Sequence, residues 1–440
     1  MSFEAGRYVI EDLIQKKLLE IGDGYRAKNT ELSSSGLPFA RAGNINDGFK
    51  FDDADYFSEK DLFKVGNKFS KAGDVVFTSK GTVGRFALVT SNTPRFVYSP
   101  QLCFWRSLRP DVLLPEYLYY WMNSAEFLQQ IGYLKGQTDM ADYVSLRDQR
   151  KITATIPTIR VQRKIVSVLK PLDDRINLLR QKNSTLETIA QSLFKSWFVD
   201  FDPVRVKMDG RFPEKMDEAT AALFPDSFVE TEFGSVPKGW KLTSLINAFD
   251  MNPRRLIKKG IRAPYLDMAS LSTRGHCVEA PIEREMSSGT KFCNGDTLMA
   301  RITPCLENGK SAFVDFLLDE QIGWGSTEFL VIRPKKPLPN YFGYLLCRHP
   351  PFREYAIQSM SGTSGRQRVQ NDALGRYPLA VPDEKVASAF AQIVEALQQN
   401  ITVNHKTSRT LAELRDTLLP RLISGQLLLQ RAVDAIQEAA

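Results

Sequence analysis

The chain is written twice. Residues 225 positions apart match: Pro157 with Pro382, Phe127 with Phe352, Leu172 with Leu397, Ile176 with Ile401, Leu186 with Leu411 and Leu193 with Leu418. Small insertions shift other pairs, so that Leu114-Pro115-Glu116-Tyr117 answers Leu338-Pro339-Asn340-Tyr341 and Gly73-Asp74-Val75 answers Gly295-Asp296-Thr297. A period this long is not that of a solenoid. It marks a duplicated two-part module, and 440 residues are in any case too many for one ordinary core.

Each copy begins with a mixed segment. Short apolar runs such as Asp74-Val75-Val76-Phe77-Thr78 and Ala312-Phe313-Val314, punctuated by Gly, Pro, Asn and Asp, predict strands and turns. A long helix follows, from near Val161 in the first copy and Lys385 in the second. Its apolar positions alternate in steps of four and three: Ile165, Leu169, Leu172, Ile176, Leu179, Asn183, Leu186, Ala190, Leu193, Trp197. The second copy repeats the seam with Phe390, Val394, Leu397, Ile401, Asn404, Ser408, Leu411, Arg415, Leu418 and Leu422. That is a heptad pattern, and one stripe per helix needs one partner helix, so the copies supply each other. Ile176, Leu179, Leu186, Leu193, Ile401, Leu411 and Leu418 are the expected pairing residues. Asn183, Asn404 and Ser408 are read either as register pins or as a solvated break in the seam. Pro171 predicts a kink or a late helix start.

No run of 18 apolar residues occurs, so no membrane span is expected. The N-terminus lacks a basic stretch followed by an apolar one, which makes the cytoplasm the expected location. Cys103, Cys277, Cys293, Cys305 and Cys347 are odd in number and form no Cys-x-x-Cys, so neither a disulfide framework nor a zinc cluster is expected. The net charge of +7 suits a polyanionic partner. Two other classes compete. A catalytic methyltransferase needs a Gly-rich cofactor loop and an Asn/Asp-Pro-Pro-Tyr/Phe loop, for which the nearest match is His349-Pro350-Pro351-Phe352, read as a turn. No Walker-type loop occurs and no nuclease-type acidic cluster stands out. A duplicated coiled-coil scaffold that binds only proteins would share the helices but would not need the basic, Gly-flanked loops.

Several blocks carry a resemblance. Trp197-Phe198-Val199-Asp200-Phe201-Asp202-Pro203-Val204, Asp209-Gly210, Leu223-Phe224-Pro225 and Pro237-Lys238-Gly239-Trp240 resemble the central region of Type I restriction–modification specificity subunits. Leu418-Leu419-Pro420-Arg421-Leu422-Ile423-Ser424-Gly425 resembles the end of that family's second conserved helix, and Gly73-Asp74 with Gly81-Thr82-Val83-Gly84 is similar to a strand-turn-strand of its target recognition domains. The resemblance implies an α/β (α+β) fold: two mixed target recognition domains separated by two long antiparallel helices forming a coiled coil, with a pseudo-two-fold internal repeat. The expected boundaries are 1–157 for the first domain, 158–200 for the first helix and 201–236 for a linker with one short helix near 218–223. The second domain is expected at 237–382, the second helix at 383–427 and a tail at 428–440. Implied partners are double-stranded DNA with a bipartite target, two methyltransferase subunits and two restriction subunits. S-adenosylmethionine, ATP and Mg are expected on those partners only, with no cofactor, metal or catalytic residue on this chain.

Two unlike modules on one pseudo-two-fold suit two unlike half-sites. About 32 residues of helix give roughly 48 Å of rod, comparable with the ~34 Å between half-sites one turn apart. Base reading needs donors and acceptors on exposed loops. In the first domain the candidates are Thr78, Ser79, Lys80, Thr82 and Arg85, with Gln137 and Thr138 in the loop beginning at Lys135. In the second they are Arg301, Thr303 and the loop Ser361 to Arg368 with Arg366, Gln367 and Arg368. Arg254, Arg255, Lys258 and Lys259, in a run ending at Arg262, are the candidate phosphate grip.

Overall fold

The computed structural model describes residues 4–45, 48–52, 54–134, 136–138, 141–214, 216–278, 280–363 and 365–426, with backbone alone for 136–138 and 141. The expected tail 428–440, Lys135 and Ser364 lie outside the described residues, as do the side chains of Gln137 and Thr138. The chain divides into two units: residues to Arg175 together with those from Thr410 onward, and Ile176–Arg409.

The duplication is carried strand for strand. Unit 1 holds an antiparallel sheet ordered Leu19–Asp23, Leu102–Ser107, Asp74–Thr78, Phe86–Leu88. Unit 2 holds its counterpart, ordered Phe249–Met251, Phe329–Pro334, Thr297–Ala300, Ser311–Phe313. A second four-stranded sheet in each unit contains one parallel pair, Phe39 against Val97 in unit 1 and Tyr265 against Trp324 in unit 2. A two-stranded ladder ties the start of each module to its end: Gly6–Val9 with Thr153–Ile156, and Lys241–Ser244 with Pro378–Val381. Helix pairs also correspond, Pro115–Met122 and Ala125–Leu134 answering Asn340–Arg348 and Pro350–Gln358. Of the segment His349-Pro350-Pro351-Phe352 only His349 is a junction between the two helices of the second pair; Pro350 to Phe352 form the first turn of the following helix.

The Gly-Asp signature has the same job in both copies. Gly73 and Gly295 adopt φ of +92° and +87°, a region that favours glycine. A Cβ on Gly295 would also lie 2.5 Å from Arg333 Nη2. The turn buries the following aspartate completely. Asp74 accepts from Lys71 N (2.8 Å), Tyr98 Oη (2.6 Å) and Arg106 Nε and Nη2 (2.6 and 2.8 Å). Asp296 accepts from Cys293 N (2.8 Å) and pairs with Arg255 (3.0 Å) and Arg333 (3.2 Å).

The long helices span Ile159–Phe198 and Glu384–Ile423. The second starts where Asp383 Oδ1 caps the amides of Lys385 (2.9 Å) and Val386 (3.0 Å). The first does not start late at Pro171. It begins twelve residues earlier and runs through the proline, because Ser167 and Pro171 are exposed, so the carbonyl that loses its amide partner faces water, while Leu169 and Leu172 are buried. At 40 residues each, the helices are about 60 Å long rather than 48 Å.

No seam position is exposed. In unit 2, Trp197 packs on Phe390 with centroids 5.7 Å apart, and Asn183 meets Ile401 and Asn404, so the helices run antiparallel. Asn183 donates to Ile401 O (3.0 Å) and accepts from Asn404 Nδ2 (2.9 Å), a reciprocal pin deep in the seam. Ser408 instead donates to His405 O on its own helix, so it pins nothing across the pair. Ile176, Leu179 and Ile401 are buried, Leu186 is half-buried, and Leu193 packs on the unit 2 core. In unit 1, Leu418 and Leu422 join Ile165, Leu169 and Leu172 in one core, with Leu411 against it, and Arg415 Nη1 donates to Asp173 Oδ1 (2.7 Å).

The stretch 201–236 is more than a linker. Besides the expected short helix Glu218–Ala222 it forms the helix Asp202–Met208 and a hairpin, Phe228–Thr231 with Gly234–Pro237. Val204, Phe224 and Val236 anchor it in the unit 2 core.

Candidate nucleic-acid interface

In each unit a strand end, a loop and a hairpin converge. In unit 1, Ser79 N donates to Gln101 O (2.9 Å), Val144 N to Ser79 O (3.0 Å) and Gly81 N to Asp142 O (3.0 Å). In unit 2, Arg301 N donates to Glu328 O (3.0 Å), Val369 N to Arg301 O (2.9 Å) and Thr303 N to Gln367 O (3.1 Å). Isolated bridges Lys80–Tyr143 and Ile302–Arg368 complete the correspondence. The backbone therefore equates Ser79 with Arg301, Lys80 with Ile302, Gln101 with Glu328 and Tyr143 with Arg368.

Beside each junction lies an open cleft lined with cations. The unit 1 cleft, about 440 Å³, is lined by Arg26, Arg41, Lys80 and Gln101 among others. The unit 2 cleft, about 330 Å³, is lined by Arg254, Arg255, Lys291 and Arg301, with Asn252 and Thr327. Clustered cations of one sign in a concave surface concentrate anions there.

The candidates from sequence divide into three groups. Lys80, Thr82, Arg85, Arg254, Lys258, Lys259 and Arg366 are exposed, and Lys80 and Arg254 line the clefts. A second group is tied in place. Arg255 pairs with Asp296, Arg301 Nη2 donates to Val369 O (3.0 Å) while its Nε has no protein partner, and Thr303 Oγ1 donates to Gln367 O (3.3 Å). Arg368 is held by Glu328, with Nε donating to Oε1 and Oε2 (3.0 and 2.9 Å) and Nη2 to Oε1 (2.6 Å). The guanidinium beside Glu328 holds its carboxyl below the usual range. Gln367 is half-buried at the same junction.

The third group is a correction. Thr78 and Ser79 are buried. Thr78 Oγ1 donates to Thr82 O (2.5 Å) and accepts from Arg85 N (3.1 Å), and Ser79 Oγ is directed to Gln101 O (3.4 Å). Their hydroxyls shape the turn that presents Lys80 and are not on offer to a partner.

Arg26, Arg41, Lys291, Gln101 and Glu328 escaped the sequence reading. The local offset of 227 between Ser99 and Ser326, two more than the main period of 225, is the sequence signal that puts Gln101 and Glu328 in register. Among the described residues, no group of His, Cys, Asp and Glu could hold a metal ion and no helix is long and apolar enough to cross a membrane.

Fold and site together define a duplicated two-module α/β protein with one cation-lined cleft per module and a pair of long helices. Residues 10–188 match the family model described as the Type I restriction modification DNA specificity domain. The chain is similar to the Type I restriction enzyme HindI specificity subunit of Haemophilus influenzae, at 23% identity over 88% of this chain and 94% of that protein. It is also similar to the MjaIX specificity subunit of Methanocaldococcus jannaschii, again 23% identical, over 84% of this chain and 81% of that one. The crystal structure of the Type I S subunit from M. genitalium shares the fold, with a TM-score of 0.52 at 16% identity over 96% of each chain. Over residues 10–188 the chain therefore carries a Type I restriction modification DNA specificity domain, and along most of its length it is similar to Type I specificity subunits.

Proposed function

We propose that this chain supplies DNA sequence recognition to a Type I restriction–modification complex and performs no chemistry itself. Each module receives one half of a bipartite, asymmetric duplex target. The exposed cations of the clefts and of the 254–262 run grip phosphates, and groups at the strand–hairpin junctions read base edges. The helix pair sets the separation of the half-sites and offers the docking surface for methyltransferase and restriction subunits in the cytoplasm. The modules are proposed to follow the boundaries 1–157 and 237–382. One observation carries the reading: the two copies, unlike in sequence, both place a cation-lined cleft beside the same strand–hairpin junction.

The test is fluorescence anisotropy with duplexes containing the target, using the chain assembled with its methyltransferase subunits. Replacing Arg366 and Arg368 by Ala should remove preference for one half-site and leave the other intact. Affinity for random duplex should fall steeply with salt, as phosphate contacts require. Binding that ignores salt, or equal loss at both halves, refutes the proposal.

A further inference from the structure

Two readers built on one backbone must differ somewhere to read different sequences. The junction isolates where. Gln101 and Glu328 occupy the same backbone position, each accepting the same amide bond from the equivalent strand end, from Ser79 and from Arg301. On the hairpins, across the strand end from them, stand Tyr143 and Arg368, again equivalent through the bridges to Lys80 and Ile302. The backbone is held constant while the chemistry changes: these positions hold an amide and a phenol in one unit, and a carboxylate paired with a guanidinium in the other.

We infer that the pairs Gln101/Tyr143 and Glu328/Arg368 are specificity-determining residues, one pair for each half-site. The inference rests on the proposed DNA-reading function and narrows it to two positions. In unit 2, Glu328 takes the Nε and Nη2 side of the Arg368 fork through three contacts of 2.6–3.0 Å. Nη1 makes only a marginal contact with Arg366 O, at 3.5 Å. The end of the fork, Nη1 with the second proton of Nη2, is left to donate. A guanidinium fixed on one edge and free on another suits the O6 and N7 acceptors of guanine. Glu328 is thus a positioning residue, and Arg368 is the group that touches the base. In unit 1 no such ion pair forms. Gln101 Oε1 accepts from Ala42 N (3.1 Å), which fixes the amide and leaves its NH2 donors for the duplex. With its oxygen engaged, the amide offers donors only, which suit an acceptor on a base edge such as a purine N7. Lys80, at the bridge to Tyr143 and on the wall of the same cleft, supplies the neighbouring charge.

The experiment is single-molecule methylome sequencing of a host in which the full chain is co-expressed with its methyltransferase subunits. Wild type is compared with Glu328→Gln, Arg368→Lys and Gln101→Glu. Glu328→Gln and Arg368→Lys should each relax the same single base position in one half-site, with discrimination falling roughly tenfold. Gln101→Glu should alter one position in the other half-site, and the spacer should be unchanged in all three. If the variants methylate the wild-type target with unaltered preference at every position, or relax both halves together, the inference is overturned while the proposed function stands. If the wild-type complex directs methylation to no bipartite target, the proposed function fails and the inference with it. A variant too unstable to assemble is replaced by Glu328→Asp or Gln101→Asn, and the same two outcomes decide.

Discussion

The two buried aspartates make an internal control, because one motif sits in two environments. Asp74→Ala removes the carboxylate that holds Arg106, whose side chain is only 7% exposed. The guanidinium would keep Glu20 (3.1 Å) and Phe69 O (3.2 Å), but Tyr98 Oη and Lys71 N would lose their acceptor. Truncating one partner of a buried pair costs about 3–5 kcal/mol. Asp296→Ala frees Arg255 and Arg333, which are 18% and 26% exposed and can recover water. Losing charged hydrogen bonds of that kind costs about 1.5–3 kcal/mol. A two-unit chain need not unfold in one step, so the assay is native-state hydrogen exchange, which reports each unit separately. Amides of Asp74–Thr78 and Leu102–Ser107 should lose about 3–5 kcal/mol of protection in the first variant. Those of Thr297–Ala300 and Phe329–Pro334 should lose visibly less in the second. Equal losses, the reverse order, or a cost for Asp74→Ala under about 1 kcal/mol would refute the idea that burial of the arginine sets the penalty.

Three further outcomes are expected. Asn404→Ala should cost about 1 kcal/mol by thermal melting while leaving the helices paired, and Asn404→Leu should loosen their register, visible as altered cross-linking between cysteines placed on the two helices; unchanged register would show that the apolar seam suffices alone. Asp315 is raised by burial, yet hydrogen bonds and charge from His276 and hydrogen bonds from Thr402 and Gln398 bring it below its ordinary value of 3.8. A depressed carboxylate stabilises above the unfolded value and loses that contribution as pH falls through the folded one. Unit 2 should therefore lose protection below about pH 4, with a shallower dependence in Asp315→Asn; identical slopes would exclude Asp315 as a source. Inserting one heptad in each long helix adds about 10.5 Å, so the methylated target should keep both half-sites and gain about three base pairs of spacer at 3.4 Å per pair; an unchanged spacer would refute the ruler.

Much of the fold was legible because the duplication and the heptad seam are periodic, and periodicity survives ignorance of everything else. Every seam position from Ile165 to Trp197 is sheltered, since a two-helix stripe has only one place to go. What escaped was set by context. The stretch 201–236 looks like a linker by its Pro, Gly and charge, yet a few anchors such as Val204 and Phe224 suffice to fold it onto a core. Pro171 predicted a kink or a late start, but the helix does not start late there: the proline's cost depends on which face it occupies, and the heptad phase already placed it outside the seam. Thr78 and Ser79 had the polarity of readers, but Thr78 ends a strand buried along its whole length and Ser79, the next residue, is buried with it.

The candidate site was harder for a related reason. Arg26, Arg41 and Lys80 are neighbours only because strands distant in the chain cross, one of them through the parallel pairing of Phe39–Ala40 with Val97–Tyr98. No local pattern encodes that crossing. Repetition does encode it indirectly: once two copies share a backbone, the positions where they disagree in chemistry but agree in hydrogen bonding are where a reader can be retuned without refolding. Gln101 and Glu328 satisfy that condition, because their backbone carbonyls do the structural work and their side chains are left free to differ. A protein that must change its target without losing its fold gains from keeping those two duties on separate atoms of the same residue.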